Sequence, residues 1–247
     1  MLIEACVDSV ESALAAQAGG AARVELCTAL LEGGLTPSAG AIALARRKLR
    51  IGLHVIVRPR GGDFLYTETE HEVMLEDIDA AKQLGADGVV IGVLDPRGNV
   101  DRDRTRVLVE RARPMAVTFH RAFDMAREPF EALESLVELG VDRLLTSGQE
   151  ESAMAGLDLL RQLIEKAGER IIVMPAGSIH ERNIEKIARE TRASELHITG
   201  FVDIESGMQF RNPRVHMGGL LRPPEYSRST TDAERIRALV SLARGLK

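Results

Sequence analysis

The chain has 247 residues, 45% of them hydrophobic and 28% charged, and its 32 Lys and Arg against 37 Asp and Glu leave a net charge of −5. That balance argues against a general nucleic-acid binder, which carries a basic surplus. An aromatic content of 3% with no Trp argues against base-stacking platforms and aromatic membrane belts.

In chain order, short β-branched runs alternate with stretches of helical period. Strand Leu2–Val7 precedes helix Val10–Ala18, strand Arg23–Cys27 precedes helix Ser38–Leu49, and strand Ile51–Arg58 precedes helix Glu70–Leu84. Strand Gly88–Leu94 is followed by helix Arg102–Arg113, strand Ala116–His120 by helix Pro129–Leu139, and strand Arg143–Ser147 by helix Ala153–Ala167. Strand Ile171–Met174 with helix Glu181–Thr191, then strand Glu195–Thr199 with helix Thr231–Leu246, complete the series. Glycines follow the helices at Leu84-Gly85, Leu139-Gly140 and Ala167-Gly168, while Thr36-Pro37-Ser38 and Thr231-Asp232 read as helix starts.

Eight strand-then-helix units of about 31 residues each predict an α/β chain folded as a (β/α)8 TIM-type barrel, one domain over residues 1–247. An open doubly wound sheet would alternate in the same way. It would, however, place a Gly-rich fingerprint after its first strand, and Cys6-Val7-Asp8-Ser9 is not one. Two connections are long, Pro59–Thr69 after the third strand and Gly200–Thr230 after the eighth. Both fall on the C-terminal rim, where barrel enzymes build their sites.

No run approaches the roughly 18 apolar residues that span a bilayer, so no membrane association is expected. Met1–Cys6 has no basic region ahead of an apolar run, which argues against a secretory signal. Two cysteines build no disulfide framework, and reduced thiols in a cytoplasmic protein are expected.

Strand parity sorts the polar residues. Ile3, Ala5 and Val7 share one face of the first strand, and Val24 and Leu26 one face of the second; these apolar sets suit the helix layer. The opposite faces carry Glu4 and Cys6, then Glu25 and Cys27, then His54, Ile56 and Arg58, then Thr118 and His120, then Glu195, His197 and Thr199. Carboxylates, thiols, an arginine and imidazoles therefore converge in one lumen, where charge is costly unless it is paired or bound to something. A structural polar network filling the barrel fits that pattern; so does a functional site at its mouth. His71, His180 and His216 fall on helix or loop and are expected at the surface.

Arg58-Pro59-Arg60-Gly61-Gly62-Asp63-Phe64 offers two guanidinium forks and exposed backbone N–H groups, suited to a carboxylate or phosphate, although a solvated turn has the same composition. Thr118–Asp124 sets a base, His120, a cation, Arg121, and an acid, Asp124, within five residues. Ser147 and Gly148 follow the sixth strand and Ala176-Gly177-Ser178 the seventh, where small residues let a ligand approach the backbone. The candidate acid–base residues are Glu4, Glu25, His120 and Asp124; the candidate anion ligands are Arg58, Arg60, Arg121, Ser147 and His197. Cys6 and Cys27 occupy matching inward positions on adjacent strands, and paired thiolates suit Cu(I), while buried inert thiols fit the same spacing.

Taken together, Glu4–Ser9, Arg23–Cys27, Glu32–Ser38, Arg58–Phe64, Thr118–Asp124, Leu145–Gly148, Ser206–Met208 and Glu225–Ser227 resemble the CutC family of copper homeostasis proteins. The resemblance implies a TIM-type barrel, a cytoplasmic location, a homo-oligomer (dimer or tetramer), a role in copper tolerance or trafficking, and Cu(I) ligation by Cys6 and Cys27. At Ala176-Gly177-Ser178 and Thr199-Gly200 the chain departs from the usual family pattern, which weighs against an anion site built from those loops. Two functions follow as expectations. One is copper homeostasis with Cu(I) on the cysteine pair; the other is an enzyme acting on a small anionic carboxylate or phosphate metabolite.

Overall fold

A computed structural model describes residues 1–217 and 223–245. Eight parallel strands run β1 (Leu2–Val7), β2 (Arg23–Leu26), β3 (Gly52–Ile56), β4 (Gly88–Ile91), β5 (Ala116–Phe119), β6 (Arg143–Thr146), β7 (Ile172–Pro175) and β8 (Glu195–Ile198). They form one sheet in the order β7-β6-β5-β4-β3-β2-β1-β8, and β7 lies beside β8, which brings the sheet round into a barrel. Eight helices surround it: α1 (Val10–Ala18), α2 (Ala39–Lys48), α3 (Glu68–Gln83), α4 (Arg102–Ala112), α5 (Pro129–Glu138), α6 (Leu157–Ala167), α7 (Ile184–Thr191) and α8 (Ala233–Arg244). The expected (β/α)8 architecture is the observed one.

Local chemistry explains the helix starts. Ser9, Ser38, Thr67, Asp101 and Asp232 each accept a backbone N–H of the first turn, and Thr67 with Glu70 completes a capping box. Helices α6 and α7 begin several residues later than their periodicity predicts, at Leu157 rather than Ala153 and at Ile184 rather than Glu181, while α2 and α8 start one and two residues late. Ahead of α6, the Ala153 N–H donates to Gly177 O, and Gly156 lies so close to Ser147 O that a Cβ there would clash. Ahead of α7, Asn183 ties back to Ser178 O and the His180 N–H, which holds 180–183 as a turn.

The apolar parity sets do face the helix layer. Ile3, Ala5, Val7, Val24, Leu26, Leu53, Val55, Val117 and Phe119 belong to the main core cluster, whereas Cys6, Cys27, Ile56 and Val90 form a separate cluster within the barrel. The long connection after β8 contains an antiparallel hairpin, β9 (Phe201–Glu205) with β10 (Ser227–Thr231), where a plain loop was expected. Residues 218–222 of that connection lie outside the described residues. His71 corrects another expectation: it is buried, with Nε2 3.4 Å from Arg104 O on the neighbouring helix. His180 and His216 are exposed. No helix among the described residues is long and apolar enough to cross a membrane.

Candidate functional site at the barrel mouth

The strand register decides which polar groups meet. Glu4 pairs with Arg23 across β1 and β2, Cys6 with Glu25, and Glu4 with His197 across β1 and β8. At the foot of the lumen Arg23 donates from Nε to Glu4 and from Nη2 to Glu195 at 2.6 Å, and Arg143 donates to the same Glu195 oxygen at 3.0 Å. Sequence reading misses Arg23 and Arg143 as the counter-charges of this network. Their strand parity is the available signal.

Above this foot, His197 Nδ1 lies 2.7 Å from Glu4 and its Nε2 lies 3.7 Å from Glu25. Burial opposes charge on His197, but a Cys6 contact, the Glu4 hydrogen bond and both carboxylates push its pKa well above the usual imidazole range. Burial likewise acts to raise Glu4, yet the His197 hydrogen bond and the Arg23 charge hold its carboxyl well below the usual range. Glu25 goes the other way, pushed up by burial and by Glu4 against the pull of His197. The result is an imidazolium clasped by an ionised Glu4, with Glu25 at the cavity wall.

That cavity opens at the C-terminal ends of the strands, has a volume of about 320 Å³, and is lined by Cys6, Glu25, Arg58, His120, Arg121 and His197 among its polar residues. Ile56, Phe64 and Leu145 supply apolar wall. Cys6 Sγ, a Glu25 oxygen and a His197 ring nitrogen all lie within 4.8 Å of one another, close enough for the three to share a metal ion. Cys27 sits behind Cys6, with sulfurs 3.7 Å apart, and donates its own S–H to Val7 O at 3.3 Å. The Cys27 hydrogen bond, burial and Glu25 push the Cys6 thiol well above its usual pKa.

His120 is fixed by the turn that follows it. Its Nδ1 accepts the Ala122 N–H at 3.1 Å, so the neutral ring carries its proton on Nε2, which is buried without a partner. Burial and the Arg58 charge lower its pKa to about 3. A neutral ring with Nδ1 already engaged presents Nε2–H to the cavity as a hydrogen-bond donor.

Beneath the ring lies Gly92: a Cβ there would meet Ala122 Cβ at 2.8 Å and the imidazole more closely still. Gly88 gives His54 the same space, so the glycine that opens β4 and the one just past its end are the sequence signal for two lumen imidazoles. Gly92→Ala is expected to cost about 1–3 kcal/mol in unfolding free energy through overpacking, measured by urea denaturation. It is also expected to shift the His120 ring resonances.

The arginines separate. Arg60 is half-exposed, outside the cavity lining, and engages all five donors with Glu70, Asp63 and the carbonyls of Gly61, Asp63 and Leu65. Arg58 is buried in the wall and donates from Nη1 to Glu32 O and Gly34 O and from Nη2 to Gly62 O. Its Nε has no partner, and among the described residues no carboxylate lies within 4.0 Å of its guanidinium. Arg121 is matched by Asp124 at 2.6 Å. Asp124 itself accepts from Thr146 Oγ1, the N–H groups of Ser147 and Gln149, and Arg121, so it clasps the loop after β6. Ser147 joins that clasp, accepting from Arg121 Nη2 at 2.7 Å.

Residues 1–202 match the CutC family. A copper homeostasis protein cutC homolog of Mus musculus is 49% identical over 243 residues, 98% of this chain and 89% of that protein. Its Homo sapiens counterpart is 48% identical over 245 residues, covering 99% and 90%. The crystal structure of the CutC protein from Streptococcus agalactiae superposes with a TM-score of 0.77 at 32% identity, over 81% of this chain and 98% of that one. Phosphoribosylanthranilate isomerase from Thermotoga maritima, at 13% identity and a TM-score of 0.59 over the full length of both chains, shares the fold alone. The chain belongs to the CutC family.

Proposed function

We propose that the protein serves copper homeostasis by taking up Cu(I) on Cys6, backed by Cys27, at the floor of the mouth cavity. The observation that carries this reading is the 3.7 Å separation of the two sulfurs beside Glu25 and His197. The names of the mammalian relatives point the same way. Two thiols are the donor set a soft monovalent ion prefers. Cys6 lines the cavity and Cys27 is buried behind it, so an ion entering from the mouth meets Cys6 first. Ligation requires proton loss, and the raised Cys6 pKa makes affinity climb with pH through the alkaline range.

Anaerobic Cu(I) titration against a competing chelator tests the reading. Wild type is expected to bind one equivalent, Cys6→Ser to lose most of the affinity, and Cys6→Ser with Cys27→Ser to lose stoichiometric uptake. Undiminished uptake by the double variant would sink it. Reduced thiols and the family role support a cytoplasmic protein. The exposed Met208, Phe210 and Met217 support self-association as a dimer or tetramer, measurable by light scattering.

A second reading, an enzyme acting on a small anionic metabolite, is favoured by a different observation. The buried Arg58 guanidinium lines the same cavity, and among the described residues no carboxylate lies within 4.0 Å of it.

A further inference from the structure

We infer that the mouth cavity holds a small hydroxycarboxylate, its carboxylate gripped by Arg58 and His120 and its hydroxyl set against Glu25. This rests on the anion reading above and is independent of the thiols. Buried polar groups in folded proteins are almost always paired, and unpaired ones call for an explanation. Three lining residues of this cavity carry such atoms: Arg58 Nε, His120 Nε2 and Glu25 Oε1. The residues that carry them are each at most 5% exposed.

The three atoms specify a ligand. Arg58 has committed both Nη1 donors and one Nη2 donor to backbone carbonyls, which leaves Nε–H and one Nη2–H. Nε and Nη2 form the edge that grips a carboxylate side-on with two parallel hydrogen bonds. His120 presents Nε2–H, because the Ala122 N–H holds its Nδ1 as acceptor. The Phe64 ring keeps these donors together: the Arg58 guanidinium lies 5.1 Å from its centroid and the His120 ring 5.1 Å on its own account. Glu25 Oε1 then lacks one partner, and a ligand hydroxyl satisfies it whether that oxygen accepts or donates. Ile56, Phe64 and Leu145 leave room for a short carbon body within about 320 Å³.

Charge selects carboxylate over phosphate. Among the lining cations, Arg121 is matched by Asp124 and His197 lies between Glu4 and Glu25, whereas Arg58 has no carboxylate within 4.0 Å among the described residues. A monoanion neutralises it, whereas a phosphate dianion brings one negative charge too many into a buried site. Among the described residues of the loops after β7 and β8, where barrels usually bind phosphate, none lines this cavity.

Calorimetric titration with glycolate, acetate and inorganic phosphate tests the inference on wild type, His120→Asn and Arg58→Lys. The side-chain oxygen that His120→Asn introduces can still accept the Ala122 N–H, so this variant keeps the cap and removes only the Nε2 donor. Glycolate is expected to bind one per chain, about tenfold more tightly than acetate and more tightly than phosphate. His120→Asn is expected to weaken glycolate about tenfold at unchanged Tm, and Arg58→Lys to weaken it further. Should Arg58→Lys fail to fold, His120→Asn carries the test alone. Glycolate no tighter than acetate, or unaffected by His120→Asn, would overturn the inference. Phosphate binding more tightly than glycolate removes the carboxylate and leaves the anion reading standing; no binding by any of the three removes both.

Discussion

Glu4→Ala is expected to destabilise the protein by about 3–5 kcal/mol, the largest stability effect of any single lumen substitution. Glu4 is fully buried and is shared by two cations, accepting from Arg23 and lying 2.7 Å from His197, with the His54 ring 3.8 Å away. Removing it strands the positive charge of His197 in a medium that does not solvate it, and leaves Arg23 to Glu195 alone. For a chain of this size the loss corresponds to a fall of roughly 6–20 °C in Tm. The exposed pair Arg211–Glu205 is the control. Its removal by Glu205→Ala is expected to change stability by no more than about 0.5 kcal/mol, because water screens it already. Urea denaturation of both variants decides the point: comparable losses would mean that the lumen network carries no special weight.

The lumen was the most legible part of this protein, because strand parity is a rule of geometry. Alternation along β1 and β2 placed Glu4, Cys6, Glu25 and Cys27 inward, and register did the rest by pairing Cys6 with Glu25 and Glu4 with His197. What parity does not supply is who neutralises whom. Arg58 and Arg60 stand two residues apart in one motif and look equivalent in sequence. Proline turns the chain between them, so one guanidinium enters the wall unpaired and the other is consumed by Glu70 and Asp63. Asp124 likewise reads as a free acid, yet it accepts from Arg121 beside it and from Thr146, Ser147 and Gln149 at the end of β6 and in the loop that follows. The β9–β10 hairpin escaped for another reason. Its return strand Ser227-Arg228-Ser229-Thr230-Thr231 has no apolar alternation, and more than twenty residues separate it from β9.

The same arrangement makes the acid limb of stability steep. In the folded protein His54 is lowered to about 4, first by burial, and His120 to about 3, by burial and then by Arg58. In the unfolded chain both titrate near the ordinary value of about 6.5. Folded pKa values below the unfolded ones mean that, as pH falls below 6.5, the unfolded state binds protons the folded state refuses. Stability therefore drops with falling pH across the window from about 6.5 to 4. Two such groups give a slope of about 2.7 kcal/mol per pH unit in the middle of that window. Glu4, held low, adds to the loss below its ordinary pKa, while Glu25, held high, opposes part of it. His197 acts at the other end: its raised pKa contributes stability that is fully present below 6.5 and fades as pH rises through the folded value. Urea denaturation at pH 7, 6 and 5 is expected to show the drop. His54→Gln and His120→Asn each delete one proton from the difference and are each expected to flatten the slope by about 1.4 kcal/mol per pH unit. If either variant runs parallel to wild type, that imidazole is not held neutral by the fold.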